Sequence, residues 1–330
     1  MSVKTVGIVG CGHISRKHGE ALRRLTERFQ VVGCADPSEQ ARAAFADQFG
    51  IEHRYEDLDS LMREAAPDVV LLATWPSQHE EQVISAIEAG AKWILCEKSL
   101  ALSAGSAGRM SDAARRAGAT LVEAFMWRHH PRTLKAHELL RSGRIGTLRR
   151  VRAAFHSAPF ELTNWRSKPE LGGGVPFDYT CYPMNALGAF IDAEAVEVVA
   201  RGRRSEAGVW VELDASIRYE DGIVAVIDSS YTSSYHQIIE LQGDDGVILI
   251  SNPWTSGDDT RIELLLGSPW TDSFSREEIN LPAADPFYEQ WSHLADVMNG
   301  GAELRFAVEE SIRNIGLLEK VLAVAGTRAS

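Results

Sequence analysis

Two periodicities divide the chain. Up to about residue 125, short apolar runs near Val3–Val9, Val31–Ala35, Val69–Ala73, Trp93–Cys96 and Thr120–Ala124 are separated by helical patterns such as Ser38–Phe49, Leu58–Ala65 and His79–Ala89. Gly50 and Gly90 stand where such helices end in a left-handed residue. Uninterrupted apolar strands alternating with helices predict a parallel, doubly wound sheet covered on both faces. From Gly146 onward the period changes to two, with strands expected at Leu148–His156, Val196–Arg203, Val209–Tyr219, Ile223–Ser233, Gln237–Leu241, Val247–Ser251 and Arg261–Leu266. The turns Glu220-Asp221-Gly222 and Gly243-Asp244-Asp245-Gly246 join several of these as hairpins, which predicts a large, mostly antiparallel sheet. Helices expected around Pro131–Ser142, Pro183–Phe190, Phe287–Asn299 and Val308–Ala325 can cover one of its faces. The expected organisation is an α/β domain over residues 1–125 followed by an α+β domain over 126–330.

The first strand breaks into glycines that lead straight into a helix: Val6-Gly7-Ile8-Val9-Gly10-Cys11-Gly12-His13-Ile14-Ser15. Gly10 permits a tight turn, Gly12 leaves no side chain between the backbone and a pyrophosphate, and Ser15 is small enough for helix to pack on strand. With His13 and Ile14, they place a helix N-terminus, rich in unpaired N–H groups, where phosphates bind. The second apolar run ends in Asp36, at the spacing where a dinucleotide-binding Rossmann domain carries the carboxylate for the adenosine ribose diol. An Asp-Pro turn is the structural alternative. Asp36 repels a 2′-phosphate and no arginine immediately follows it, which favours NAD over NADP, although Arg42 is within reach.

At 330 residues with 45% hydrophobic side chains, the chain is long enough for two substantial cores. Its formal charge of −12 argues against nucleic acid or an anionic membrane as a partner. The basic group Arg141, Arg144, Arg149, Arg150 and Arg152 reads as a solvated helix end and strand face. No stretch approaches the ~20 apolar residues of a membrane span, and the N-terminus lacks a secretory pattern, so a cytoplasmic location is expected. Cys11, Cys34, Cys96 and Cys181 lack metal-ligand spacing, as do His79 and the pair His129-His130, so no metal is expected.

Two segments carry candidate chemistry. Glu97-Lys98-Ser99 follows the fourth strand, which sets an acid and an ammonium at the carboxyl edge of the sheet, where the cofactor is expected. Gly172-Gly173-Gly174 leads into a helix with Asp178 and Tyr182 at i and i+4, on one face. The triple glycine is expected where backbone passes close to a ligand. Together with Ala73-Thr74-Trp75-Pro76-Ser77-Gln78-His79, Glu123-Ala124-Phe125-Met126-Trp127-Arg128 and Asn164-Trp165-Arg166, these segments resemble the Gfo/Idh/MocA oxidoreductase family over essentially the whole length. The stretch from Asn164 to Asn185 is most similar to the branch with aldose dehydrogenases and dimeric dihydrodiol dehydrogenase, which carries tyrosine where inositol dehydrogenases carry histidine.

The resemblance implies that Lys98, Asp178 and Tyr182 surround the reacting carbon. Hydride transfer from a secondary alcohol requires a base for the hydroxyl proton; Tyr182 serves if the Lys98 cation stabilises its phenolate, and Lys98 itself serves if its own pKa is depressed. Asp178 orients substrate or the Lys98 ammonium, or caps the helix. Thr74, Pro76, His79, Glu97 and Lys98 are implied to line the cofactor, while Trp75 either stacks on it or packs in the core. The family usually has proline where this chain has Ser99, which loosens the turn bearing Lys98, and asparagine where it has Ser77. Trp127, Arg128, Trp165 and Arg166 are expected to bind a polyhydroxylated small molecule, since indoles stack on sugar C–H faces and guanidinium groups donate to hydroxyls. Trp254, Trp270 and Trp291 are read as core or subunit-interface residues. The expected activity is NAD(P)-dependent oxidation or reduction of a sugar, cyclitol or nucleotide-linked sugar. A redox-assisted NAD-dependent glycosidase and a non-catalytic NAD-sensing regulator are the alternatives. The uncovered face of the second sheet, with Val224, Val226 and Ile227, is expected to join a homodimer or homotetramer.

Overall fold

In a computed structural model, residues 3–157, 164–255, 259–268, 270 and 273–327 are described. The chain forms two compact units, one of residues 1–126 with 285–312 and one of 127–284 with 313–330.

The first unit runs β1 (Lys4–Val9), α1 (His13–Arg23), β2 (Phe29–Ala35), α2 (Glu39–Phe49), β3 (Arg54–Tyr55), α3 (Leu58–Ala65), β4 (Val69–Leu72), α4 (His79–Glu88), β5 (Trp93–Cys96), α5 (Ala104–Ala117) and β6 (Thr120–Glu123). The six strands pair in parallel in the order β3-β2-β1-β4-β5-β6. This order reverses direction between β1 and β4, which opens a crevice at the strands' carboxyl ends. All four residues of β4 are buried, as expected for a strand with helices on both faces. Ser38, Asp57 and Ser103 start α2, α3 and α5 by accepting the N–H groups of Ala41, Ser60 and Ser106. The apolar pattern did not point to α5, whose face is built from alanine, glycine and serine, nor to the two-residue β3.

The second unit begins with α6 (Pro131–Arg141), β7 (Leu148–His156) and α7 (Cys181–Phe190). It continues through β8 (Ala195–Arg204), β9 (Trp210–Tyr219), β10 (Val224–Ser230), β11 (His236–Gly243), β12 (Gly246–Ser251), β13 (Arg261–Leu266) and β14 (Ser275–Asn280). Its eight strands are ordered β14-β13-β12-β11-β7-β10-β9-β8, antiparallel at every junction except the parallel pair β7 and β10. Along β9, Leu213, Ala215, Ile217 and Tyr219 are buried while Asp214, Ser216 and Arg218 are exposed. The same alternation separates two faces that the sequence had mixed: Ile227 points into the core, whereas Val224 and Val226 are half-buried on the opposite face. β14 lies at the sheet edge with no fully buried residue, and so left no apolar signal.

α8 (Pro286–Met298) was expected in the second domain but packs against α1 in the first unit. Arg28, in the connection between α1 and β2, holds α8 by donating to the Ser292 carbonyl at 2.9 Å and to Asp296 Oδ1 at 2.8 Å. Periodicity shows that a helix has an apolar face, not which body that face meets. α9 (Val308–Gly326) closes the chain. Among the described residues, no helix is long and apolar enough to cross a membrane.

Candidate active site

In the first unit, the turn after β1 has the geometry that a pyrophosphate needs. Gly10 adopts φ +88°, and a Cβ there would lie 2.6 Å from the Ala73 carbonyl oxygen. Gly12 is the N-cap of α1, no side chain caps it, and a Cβ there would meet nothing within 4 Å. Open space thus lies against the helix N-terminus. Ser15 is buried with its hydroxyl on the Gly10 carbonyl, His13 is exposed and Ile14 is half-buried.

Asp36, just past β2, accepts the Cys11 N–H on Oδ2 at 2.9 Å and the Ser38 N–H on Oδ1 at 2.8 Å. The Asp-Pro turn is therefore real, and it holds the carboxylate against the glycine turn with acceptor capacity left for a diol. Arg42 donates to the Asp36 carbonyl at 3.0 Å. These residues fit a dinucleotide, with phosphates at Gly12 and an adenosine ribose at Asp36.

Beyond β4, Thr74 donates to Gln82 at 2.6 Å, the buried Pro76 opens a single helical turn and Trp75 is 42% exposed. That exposure removes core packing as an explanation of Trp75. His79 and Glu97 were expected to line the cofactor, but both are buried and occupied by protein groups. One His79 ring nitrogen, Nδ1, faces the Ser99 carbonyl at 2.9 Å and the other, Nε2, faces the Thr74 carbonyl at 3.3 Å. Glu97 Oε1 meets His18 Nε2 at 2.8 Å, and its Oε2 accepts the Lys98 N–H at 3.1 Å. Lys98 is half-buried between buried neighbours, and its peptide bond to Ser99 is cis. The turn that a proline would preset is held here by hydrogen bonds.

In the second unit, the triple glycine serves close approach of backbone to backbone. A Cβ on Gly173 would lie 2.6 Å from the Arg166 carbonyl oxygen, and one on Gly174, at φ +95°, would lie 2.9 Å from that of Trp210. These contacts with the protein's own main chain account for glycine at both positions. The loop delivers a π-helical turn, Pro176–Thr180, directly into α7. Such wide turns re-aim side chains and recur at functional sites.

Asp178 is buried within that turn, and its Oδ2 accepts from Arg166 Nε at 2.5 Å and from the Tyr231 hydroxyl at 3.0 Å. It does not cap the helix. Burial, and then the Asp178 carboxylate, push the Tyr231 phenol well above its ordinary pKa, which keeps it a neutral donor. Tyr182 is 7% exposed, with its ring 5.5 Å from Phe155 and 5.6 Å from Trp254. Arg166 also lies over the half-buried Trp165, its guanidinium 4.9 Å from the ring centre.

Trp127, expected to stack on substrate, has no exposed surface. Its indole donates to Asn185 at 3.0 Å and packs edge-on to Trp254 at 5.1 Å. Arg128 lies over the Trp127 ring at 5.7 Å and is itself buried. Of the four residues expected at the substrate, Trp165 and Arg166 are the half-buried ones. Two neighbours of the chemistry, His18 and Tyr231, escaped the sequence reading, and two others had no part in the site there: Glu123 stood only within a family segment and Trp291 only as a core or interface residue. A polar residue on an apolar helix face was the signal for His18; Tyr231 follows directly on β10, and nothing in its local pattern marked it.

A model of the NAD-binding Rossmann fold of the Gfo/Idh/MocA oxidoreductase family matches residues 4–125, and one of the same family's C-terminal domain matches residues 133–249. The chain is 31% identical over 260 residues to a 1,5-anhydro-D-fructose reductase of Ensifer adhaerens, covering 76% of each protein. It is 27% identical over 318 residues to a dTDP-3,4-didehydro-2,6-dideoxy-alpha-D-glucose 3-reductase of Actinomadura kijaniata, covering 96% of this chain and 94% of that one. Among solved structures, a 3-ketoreductase of Actinomadura kijaniata in complex with NADP and TDP-benzene superposes with TM-score 0.87 at 26% identity, over 98% of both chains. Levoglucosan dehydrogenase with NADH and levoglucosan, at 18% identity, shares the fold with TM-score 0.89, over 99% of this chain and 98% of that one. With its two parts matched in the same order along the chain, and with a relative at 31% identity across three quarters of either protein, the chain belongs to the Gfo/Idh/MocA family and is an NAD(P)-dependent oxidoreductase.

Proposed function

We propose that the chain transfers hydride between a nicotinamide dinucleotide and a secondary alcohol or ketone of a sugar, cyclitol or nucleotide-linked sugar. The observation that carries this reading is the half-buried Lys98 at the carboxyl end of β5, in the same sheet edge as the open turn at Gly12. The bound dinucleotide supplies the hydride acceptor or donor, and the protein must handle the proton. In this reading Tyr182 exchanges that proton with the substrate oxygen, and the Lys98 ammonium stabilises the phenolate. Asp178, held by Arg166 and Tyr231, orients the reacting groups. Trp165 and Arg166 offer an indole face and a guanidinium to a polyhydroxylated molecule. The named relatives that act on sugars and nucleotide-linked sugars favour that substrate class.

NAD is the preferred cofactor in this reading, because the Asp36 carboxylate repels a 2′-phosphate. Arg42, 3.0 Å from the Asp36 carbonyl, is a nearby cation that works against it. A screen of monosaccharides, cyclitols and nucleotide-linked sugars, followed by NADH and NADPH absorbance, tests both statements. Turnover on a polyol or its ketone with tighter binding of NADH is expected. Aglycone release without net cofactor change would instead indicate a glycosidase, and cofactor binding without turnover on any member would indicate a regulator.

A further inference from the structure

Three residues outside the groups assigned to proton transfer converge on the backbone that carries Lys98, all within the first unit. We infer that Trp291, His18 and Glu123 are positioning residues for Lys98, acting from both ends of the segment Glu97–Leu100; the inference rests on Lys98 being the site's lysine.

The chain of hydrogen bonds has a fixed direction. The Trp291 indole nitrogen can only donate, and it does so to His18 Nδ1 at 2.9 Å. His18 must therefore carry its proton on Nε2, from where it donates to Glu97 Oε1 at 2.8 Å. The other oxygen of Glu97 accepts the Lys98 N–H at 3.1 Å. His18 is completely buried, with Phe287 and Trp291 meeting its ring edge-on at 5.0 and 5.9 Å, so it has no room to turn over. At the far end of the segment, Glu123 Oε1 accepts the Leu100 N–H at 2.8 Å.

A lysine stem has four flexible carbons, so its ammonium is placed only as well as the backbone at its root. Displacement of a reacting group by about 1 Å from remote changes can cost on the order of 100-fold in rate. By returning from late in the chain to pack on α1, α8 supplies the donor that sets the His18 tautomer.

The variants His18→Leu, His18→Gln and Trp291→Phe of the full chain, with Lys98→Met as reference, test the inference. Glutamine keeps one acceptor and one donor at position 18, and phenylalanine keeps the ring of Trp291 without its N–H. Two readouts apply: kcat on a substrate found by the screen, and the rate at which acetic anhydride labels Lys98 relative to the exposed Lys17, read by peptide mass mapping. The labelling needs no substrate. His18→Leu should lower kcat about tenfold or more, with NADH affinity within about twofold, and change Lys98 labelling several-fold. His18→Gln should restore most of both, and Trp291→Phe should fall between. If His18→Leu does not fold, Trp291→Phe against His18→Gln carries the comparison. Unchanged labelling and kcat in His18→Leu, or in Trp291→Phe if that variant stands in, would overturn the inference. Near-normal kcat in Lys98→Met would instead remove the reading on which it rests.

Discussion

At the scale of single residues, buried charge governs what the site can tolerate. Glu123 is fully buried, and desolvation, offset in part by Ser311 and the Leu100 N–H, raises its pKa from 4.5 to about 7. The folded protein therefore holds this proton more tightly than the unfolded chain does. The associated stability is complete below pH 4.5 and is lost as pH rises through about 7. Glu123→Gln, which keeps an acceptor for Leu100, should remove a fall on the order of 3 kcal/mol across that window. Denaturant unfolding of both proteins at several pH values checks it. A stability difference that does not grow with pH would contradict the assignment. The residue scale is also where sequence served unevenly. Lys98 stood out at the end of a strand and Asp178 with Tyr182 on one helix face, and the family resemblance implied their part in the chemistry. His18 and Tyr231 did not, because their partners Glu97 and Asp178 lie 79 and 53 positions away along the chain.

At the scale of elements, two glycine turns that look alike in sequence do different work. Gly12 faces open space in an ordinary backbone conformation, so Gly12→Ala should leave stability within about 0.5 kcal/mol while weakening NADH binding through loss of room for phosphate. Gly173 lies against the carbonyl oxygens of Trp165 and Arg166, backbone atoms that cannot swing aside. Gly173→Ala should cost about 1–3 kcal/mol of stability, as overpacking does. Thermal unfolding together with NADH fluorescence titration separates the two, and the opposite pattern would show that the turns had been misread. The parallel sheet was legible because its strands are continuous apolar runs. The edge strand β14 and the helix α5 were not, since neither carries a strong apolar period.

At the scale of the whole molecule, the segment 285–312 belongs with the first unit although it follows the second in sequence. Local patterning showed α8 as amphipathic, and only the fold shows that its partner is α1. The outer face of the second sheet carries the half-buried Val224, Val226, Ile238, Val247, Leu249 and Leu265 among charged neighbours. A second copy of this chain is the proposed cover, so sedimentation velocity should find a dimer or tetramer. A monomer at all concentrations would rule that out, and Val226→Glu should weaken the assembly without unfolding the chain.

In the proposed mechanism Lys98 serves the proton transfer, and cofactor affinity does not depend on it. The most direct test is turnover by wild type and Lys98→Met on the same polyol, with NADH affinity measured in parallel. Lys98→Met should lose about 100-fold or more in kcat with NADH affinity unchanged. Near-wild-type turnover in Lys98→Met would contradict it.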